Sequence, residues 1–480
     1  MTLANRILKS LTKQLLSRYP NIPIIVVLGN VGKSSQTLLL NQVFTAQEYN
    51  VISGTSLSRG LNSLSGIGMS FLGIEFNLEN SSKVSKILTM LKFYFQLFIR
   101  GWITPAKLPK KSILIYEIGY DTQGESQLFQ NLFPRIDTLI CTNIAWEHSG
   151  GFDGFNLDSA MYNQLKPYLN KNLITEIDNP NIPSLLKNIA LEQLTLLPEK
   201  PKLVLIPDTI QNLTTSSNTV RSKNFGLQVD HIEMDTRYLL PITFGAFIDN
   251  IIRVGEQFGL DKNTLNKSLS NFELPAGRFS RLGGVFNSTI IDSTYNSDPA
   301  SVEKFLDNVV EVIDYYRDPQ NRENSRLTMA PKHTIILGEM RELGSIGVNL
   351  HAKVLDKLLE ISQKYSDYIN EIILIGTSWH ALDQDQILKV NSVENFRWIR
   401  YRQSNWKVYE TAGAIKKAIV LDSVRPGSWF WVKGSQNTIF LELVVEHLLA
   451  NPFDARLLCR RGAVWDSVRT KYDITNDIDK

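Results

Sequence analysis

The sequence predicts an α/β protein built from parallel sheets that are covered on both faces. Three observations carry that expectation. Short runs rich in Ile, Leu and Val recur along the chain: IIVVL (24–28), SILIYEIG (112–119), DTLICTNI (137–144), KLVLIPD (202–208), HTIILGEM (333–340), EIILIGTS (371–378) and SWFWVKGS (428–435). Helical or polar stretches separate them, the alternation that parallel strands with crossover helices require. The chain has 480 residues, too many for one ordinary core, so two or three domains are expected.

Composition narrows the classes. With 43% hydrophobic and 21% charged residues the chain reads as globular. A net charge of +3 offers no general argument for nucleic-acid binding, and none is expected. The two cysteines, Cys141 and Cys459, lie far apart. They form neither a disulfide framework nor a thiolate zinc site, and a cytoplasmic location fits that usage best.

Taken in order, the first segment is MTLANRILKSLTKQLLSRYP. Leu3, Ile7, Leu8, Leu11 and Leu15 share one helical face, Arg6, Lys9, Lys13 and Arg18 sit among them, and no acidic residue precedes Glu48. It has no continuous apolar run or small-residue cleavage site, so it is not a secretory signal. A second helix is expected over 83–103, where apolar positions 84, 87, 88, 91, 95, 98 and 102 keep helical spacing. Lys86, Lys92 and Arg100 interrupt it, so it does not span a bilayer. Two readings stand for these helices: packing on the protein's own core, or peripheral contact with a membrane through 1–19 or 83–103. The segment 209–235 reads as loop or irregular strand, 279–295 as a hairpin turning through Gly283-Gly284, and 316–332 as a polar insertion. A domain boundary is placed near 274.

The chemistry-bearing stretch is Leu28-Gly29-Asn30-Val31-Gly32-Lys33-Ser34-Ser35, between an apolar strand and the helical QTLLLNQVF. A strand that stops at glycines and opens a helix presents backbone N–H groups and the positive end of the helix dipole to phosphate. Lys33 would reach terminal phosphates and Ser34 would help hold Mg²⁺. The first glycine of the usual pattern is absent, since Val27 stands there. A plain strand followed by a glycine turn therefore remains the alternative. Glu117 ends the run ILIYE, where ligands bind in α/β sheets, and it is read either as a metal carboxylate or as an ordinary strand-end acid. His148 follows another apolar run and is read as its partner or as structural. Thr470-Lys471-Tyr472-Asp473 is the nearest string to a GTPase base reader, but no strand precedes it.

The order of the motifs resembles the Mur ligase family, and within it the MurF branch, which adds D-Ala-D-Ala to a UDP-muramoyl-tripeptide. The phosphate loop resembles Thr-Gly-Thr-Asn-Gly-Lys-Thr. GLNSLSGIG (60–68) is similar to the branch's Asn-Asn-x-x-Gly-x-Pro segment, with Gly68 in place of Pro. YEIGYDTQGE (116–125), TNIAWEHSGGFDG (142–154), GRF (277–279), IIDSTYNSDPAS (290–301), LGEMRELGSIGVNLH (337–351) and WVKGSQN (431–437) resemble further family segments, so the likeness covers roughly 22–450.

Residues 1–21 are read from their spacing as an N-terminal amphipathic helix, and the resemblance implies a central ATP-binding domain with a P-loop (22–274) and a Rossmann-like C-terminal domain (275–480). Gly29, Asn30, Val31, Gly32, Lys33, Ser34 and Ser35 would cradle the ATP phosphates. Ser34, Glu117 and His148 would serve Mg²⁺, and Asn143 would lie near the nucleotide. Arg278 would contact the γ-phosphate and Asp292 the ribose. Asn62, Lys433, Gly434 and Ser435 would face the substrates. The implied reaction joins a carboxylate, a muramoyl-peptide, to an amine such as D-Ala-D-Ala through an acyl phosphate. A folylpolyglutamate synthase-like or MurT-like ligase, or a non-catalytic ATP-binding scaffold, are the alternatives.

Four departures qualify the likeness. Only residues 1–23 precede the first strand, so a UDP-gripping N-terminal domain is expected to be absent. Gln193, or in a different register Lys166, stands for a carbamylated lysine that binds a second Mg²⁺. GAFIDN (245–250) lacks the family's histidine, with Asn250 in the asparagine's place. The paired aspartates read Asp292-Ser293.

Overall fold

The protein is described from a computed structural model, which describes residues 3–28, 32–55, 63–74, 83–105, 107–118, 132–134, 136–142, 203–205, 219–221, 225–229, 232–234, 237–325, 329–341, 343–380, 382, 396–399, 424–435 and 440–471. The chain divides into two compact units. The first comprises Met1–Val220, Gln228–Asp235 and Ile242–Leu274, and the second Arg221–Leu227, Thr236–Pro241 and Pro275–Lys480. The helix α1 (Leu3–Ser17) belongs to the first unit, where it packs on later helices of that unit.

The first unit is organised by β1 (Ile24–Leu28), β2 (Asn50–Ile52), β3 (Ser112–Glu117), β4 (Thr138–Cys141) and β5 (Leu203–Leu205). They form a wholly parallel sheet in the order β2-β3-β1-β4-β5. Every residue of β3 is buried, as are Ile24 to Val27. Strands covered on both faces cannot alternate apolar with polar, which is why these read as unbroken apolar runs. The helix α2 (Lys33–Ala46) leaves β1, and α3 (Leu64–Leu72) and α4 (Lys83–Phe98) follow β2. A π-turn, Ile99–Ile103, closes α4. Short strands β6 (Thr219–Arg221), β7 (Leu227–Val229) and β8 (Ile232–Glu233) form a small sheet within 209–235. The helices α5 (Gly245–Gln257) and α6 (Lys262–Ser270) end the unit.

The second unit holds β9 (Ser280–Gly284), β10 (Ser288–Ser293), β11 (His333–Gly338), β12 (Ile369–Ile375), β13 (Phe396–Ile399) and β14 (Trp429–Lys433). Their order is β13-β12-β11-β14-β10-β9, parallel except for β9 at the edge. The hairpin β9–β10 turns at Val285–Asn287 rather than at Gly283-Gly284. Phe286 and Asn287 take positive φ there, and both glycines stay in the strand. The insertion expected at 316–332 carries the end of α7 (Pro299–Arg317) and the short α8 (Pro319–Asn324), each opened by an aspartate cap and a proline. The remaining helices are α9 (Gly347–Lys364), α10 (Thr377–His380), α11 (Glu442–Leu448) and α12 (Ala463–Lys471).

Successive strand residues point to opposite faces. Accordingly Ile291, Ile335, Leu337, Ile372, Leu374, Trp429 and Trp431 pack with α7 and α9, while Ile290, Ile336, Ile373, Phe430 and Val432 pack with α11. On the first face His333 lies fully buried beside the stacked pair Trp429 and Trp431, with ring centroids 6.1 and 6.2 Å away. Trp431 Nε1–H donates to His333 Nδ1 at 3.0 Å, so the imidazole proton sits on Nε2. Burial pushes this histidine down to about 3 from its ordinary 6.5. The folded chain therefore refuses a proton that the unfolded chain accepts as pH falls through about 6.5. Its stabilising contribution is present above pH 6.5 and lost progressively toward pH 3. His333→Gln, which keeps an acceptor for Trp431, is expected to flatten the loss of stability between pH 6.5 and 4, measured by urea unfolding at each pH.

Candidate active site

In the first unit strand order reverses at β1, because β3 lies on one side of it and β4 on the other. The carboxyl end of such a strand opens into the crevice where doubly wound sheets bind ligands. Gly32, Lys33, Ser34 and Ser35 stand there. Gly32 caps α2 with φ 86, and a Cβ on it would lie 2.3 Å from the Phe247 ring of α5. Both the left-handed turn and the approach of Phe247 therefore demand glycine. Gln36 N–H donates to Gly32 carbonyl at 2.9 Å and so starts the helix directly behind the turn. Lys33 and Ser35 are buried in the first turn, which carries no acidic residue.

Glu117 ends β3 in register with Val27 of β1, so the pairing of these strands sets it beside the loop. It is buried, with 4% of its surface exposed. A buried carboxylate costs several kcal/mol unless its oxygens are hydrogen-bonded or paired. Ser34 Oγ donates to one oxygen at 3.0 Å and Thr55 Oγ1 to the other at 3.1 Å. Asn41 Nδ2 holds Ser53 Oγ and the Thr55 carbonyl, and so fixes the Thr55 turn. Sequence reasoning passed over Thr55. Its one signal is its position just after β2, two strands from the loop in the sheet but at the same edge.

A carboxylate flanked by two hydroxyls is a hard-oxygen donor set, which fits Mg²⁺ and not a soft metal. Among the described residues no group of three or more His, Cys, Asp and Glu gathers as a metal cage. Gly29, Asn30, Val31, Asn62, Asn143, His148, Lys166 and Gln193 lie outside the described residues. The remainder of the GLNSLSGIG segment is helical: Gly66, Ile67 and Gly68 are buried in α3. A Cβ at Gly68 would meet Leu97 at 2.9 Å and Phe93 at 3.1 Å, so this glycine admits α4. Asn250 Nδ2 donates to Gln36 Oε1 at 3.2 Å, and Gln36 Nε2 donates to the Phe247 carbonyl at 3.3 Å, which ties α5 to α2.

In the second unit the reversal falls between β11 and β14. Lys433 and Ser435 at the end of β14 are both buried. Lys433 Nζ donates to the Asn296 carbonyl at 2.8 Å, and Ser435 Oγ donates to the Ser297 carbonyl at 3.2 Å and accepts Arg341 N–H at 3.1 Å. Gly434 lies between them against Leu441. Glu339, after β11, accepts Ser378 N–H and Oγ–H, each at 2.9 Å, and Arg341 Nη1 at 3.3 Å. His351 Nε2 accepts Met340 N–H at 3.0 Å while Nδ1 donates to the Gly347 carbonyl at 2.7 Å, so it braces this loop. Arg278 stacks its guanidinium 4.6 Å above the Tyr295 ring, which joins GRF to the YNSDP turn.

Asp292 is the residue that the resemblance assigns to the ribose. Its side chain has no exposed surface. Oδ1 accepts Thr294 N–H at 3.0 Å and Thr294 Oγ1–H at 2.6 Å, and Oδ2 has no hydrogen-bond partner among the described residues. Burial pushes the carboxyl up to about 6. Its bonds to Thr294 hold its own turn together. Beside it, buried Arg460 donates to Glu442 Oε2 at 2.9 Å, to the Thr294 carbonyl at 3.0 Å and to the Tyr295 carbonyl at 2.7 Å. Arg460 lies outside every family-like segment noted in the sequence, and nothing local marks it.

No family model matches the sequence, and no curated protein matches it. Solved structures do match. MurF from Acinetobacter baumannii superposes with a TM-score of 0.58 at 12% identity, over 92% of this chain and 80% of that one. MurF ligase from Thermotoga maritima in complex with ADP gives 0.56 at 13% identity, over 95% and 85%. The bifunctional folylpolyglutamate synthase/dihydrofolate synthase of Yersinia pestis, complexed with AMPPNP and Mn, gives 0.52 at 16% identity, over 93% and 94%. The fold is that of the Mur ligases.

Two outcomes test this geometry. Glu117→Gln keeps the shape and removes the charge, and is expected to weaken Mg²⁺ binding about tenfold or more by calorimetry. Arg460→Met strands a buried Glu442 and is expected to cost about 3–5 kcal/mol in chemical unfolding, with Arg460→Lys unable to restore the lost fork of bonds.

Proposed function

We propose that the protein is an ATP-dependent ligase that joins a carboxylate to an amine. The observation that carries this reading is the placement of Ser34 and Thr55 on the two oxygens of Glu117, at the sheet's switch point and next to Lys33. The solved structures that share the fold support it, since the Thermotoga maritima MurF ligase holds ADP and the Yersinia pestis folylpolyglutamate synthase holds AMPPNP.

On this reading the turn at Gly32 and the first N–H groups of α2 receive the phosphates. Lys33 places its positive charge against the γ-phosphate as that group moves to the substrate carboxylate and ADP leaves. The resulting acyl phosphate is attacked by the amine, the tetrahedral adduct expels phosphate, and an amide remains. Mg²⁺, when bound, would neutralise charge on the phosphate oxygens. Ser34 and Glu117 would hold it, with Thr55 keeping the carboxylate in place, and His148 is proposed as a further ligand. Gly29, Asn30, Val31 and Ser35 are proposed to complete the phosphate cradle, and Asn143 to approach the nucleotide. In the second unit Arg278, Lys433, Gly434 and Ser435 are proposed as the nucleotide- and substrate-facing residues. The carboxylate is read as a muramoyl-peptide and the amine as D-Ala-D-Ala. A second reading, a folate acceptor with glutamate as amine, is favoured by the near-complete coverage of the folylpolyglutamate synthase structure.

ADP release should require an acid and an amine together. Assays across UDP-muramoyl-peptides, lipid-linked peptides and folates, each with D-Ala-D-Ala or single amino acids, decide between the two readings. Lys33→Ala is expected to lower turnover about 10²–10³-fold while the fold survives. Protein that binds ATP and Mg²⁺ yet releases ADP with no pair would instead be a nucleotide-binding scaffold, and the ligase reading would be wrong.

A further inference from the structure

The helix expected over 83–103 forms, but the face that packs is not the one its periodicity marks. Phe93 and Leu97 are fully buried, and both touch Gly68 of α3. Leu88, Leu91, Phe95, Phe98, Trp102 and Ile103 are between 40% and 64% exposed. The first five follow one another at intervals of three or four residues along a single stripe. Val84 and Ile87 extend the same spacing in the sequence. Thus α4 is apolar on two faces. One is used by the core, and the longer one is open to solvent. Single exposed apolar residues are ordinary, whereas a continuous stripe of five marks an interaction surface.

The chemistry around the stripe identifies its occupant. No Asp or Glu occurs between residues 80 and 116, or before Glu48. Lys92, one turn from both Leu88 and Phe95, is exposed, and Arg100 lies within the π-turn. Arg18, directly after α1, anchors that turn, with Nε 2.7 Å from the Gly101 carbonyl and Nη2 2.6 Å from the Trp102 carbonyl. The turn in turn holds Trp102 stacked on Phe98 at 5.4 Å. The helix α1, packed beside it, exposes Leu3 and Ile7 together with Arg6 and Lys13. A rigid apolar stripe, an interfacial Trp–Phe pair and cations with no intervening acid match an anionic bilayer surface. A second copy of the chain fits worse, because a two-fold contact through this stripe would set Lys92 and Arg100 against cations of the partner. Among the described residues no helix is long and apolar enough to cross a membrane, so the contact would lie on the surface.

We propose that the outer face of α4 and its π-turn, with the start of α1, docks the protein on an anionic lipid surface. The inference does not rest on the ligase reading, and its test needs no substrate. Flotation of the full chain with phosphatidylcholine vesicles, with and without phosphatidylglycerol, is the experiment. Binding is expected with phosphatidylglycerol, weakened by added salt and by Lys92→Glu. Leu91→Glu/Phe95→Glu is expected to lower the bound fraction about tenfold or more. Both residues are exposed, so the unfolding midpoint should not move. No binding to phosphatidylglycerol vesicles at low salt would overturn the proposal, as would equal binding by the double variant. A dimer in sedimentation that the double variant dissolves, without vesicle binding, would assign the stripe to self-association and would equally overturn it.

Discussion

A parallel sheet covered on both faces has only its strand ends left for polar chemistry. Both units of this protein are built under that constraint. Each sheet spends most of its strand residues on two apolar layers, and each holds a set of buried polar groups at the carboxyl edge where strand order reverses. In the first unit the edge holds Gly32, Lys33, Ser34, Thr55 and Glu117. In the second it holds Asp292, Glu339, Lys433 and Ser435. The rest of the architecture determines which of these groups stay available to a ligand.

The two edges differ in how their carboxylates are satisfied. Glu117 is held by two hydroxyls, each of which can turn to another partner without breaking a strand or a helix. Such an arrangement leaves its oxygens interchangeable between serine, threonine and a hard cation. Asp292 is instead locked to the backbone and side chain of Thr294 two residues on, within a turn that Arg460 seals. Its burial favours the protonated acid. Carboxylates at strand ends of the two units thus differ in what holds them, two separate hydroxyls in one and a single neighbouring threonine in the other.

Much of the fold was legible because local patterns encode it. Apolar runs became strands, the Gly-Lys-Ser stretch became the turn that opens α2, and aspartate-proline pairs began α7 and α8. Val27, in the place of a usual loop glycine, is a fully buried strand residue paired with Glu117, and the turning falls to Gly32. The site was legible only in part. Glu117 was visible as a strand-end acid, but Thr55 lies far from it in sequence and carries no motif. Arg460 was invisible for the same reason, since its partners at 294, 295 and 442 are brought to it by packing alone.

Sequence by itself determined the class of the fold, the strand-loop-helix at 24–46 and the helical character of 3–17 and 83–103, because each depends on residues within a few turns of one another. Tertiary structure alone decided which face of each helix is covered. Helical spacing defined a stripe through Leu88, Leu91, Phe95, Phe98 and Trp102, yet the core took Phe93 and Leu97, because a glycine at 68 leaves room for those two side chains. Tertiary structure likewise withdrew Asp292 from the surface and brought Thr55 to Glu117. Periodicity states what a segment is able to bury. Only the shape of its neighbours settles what it does bury.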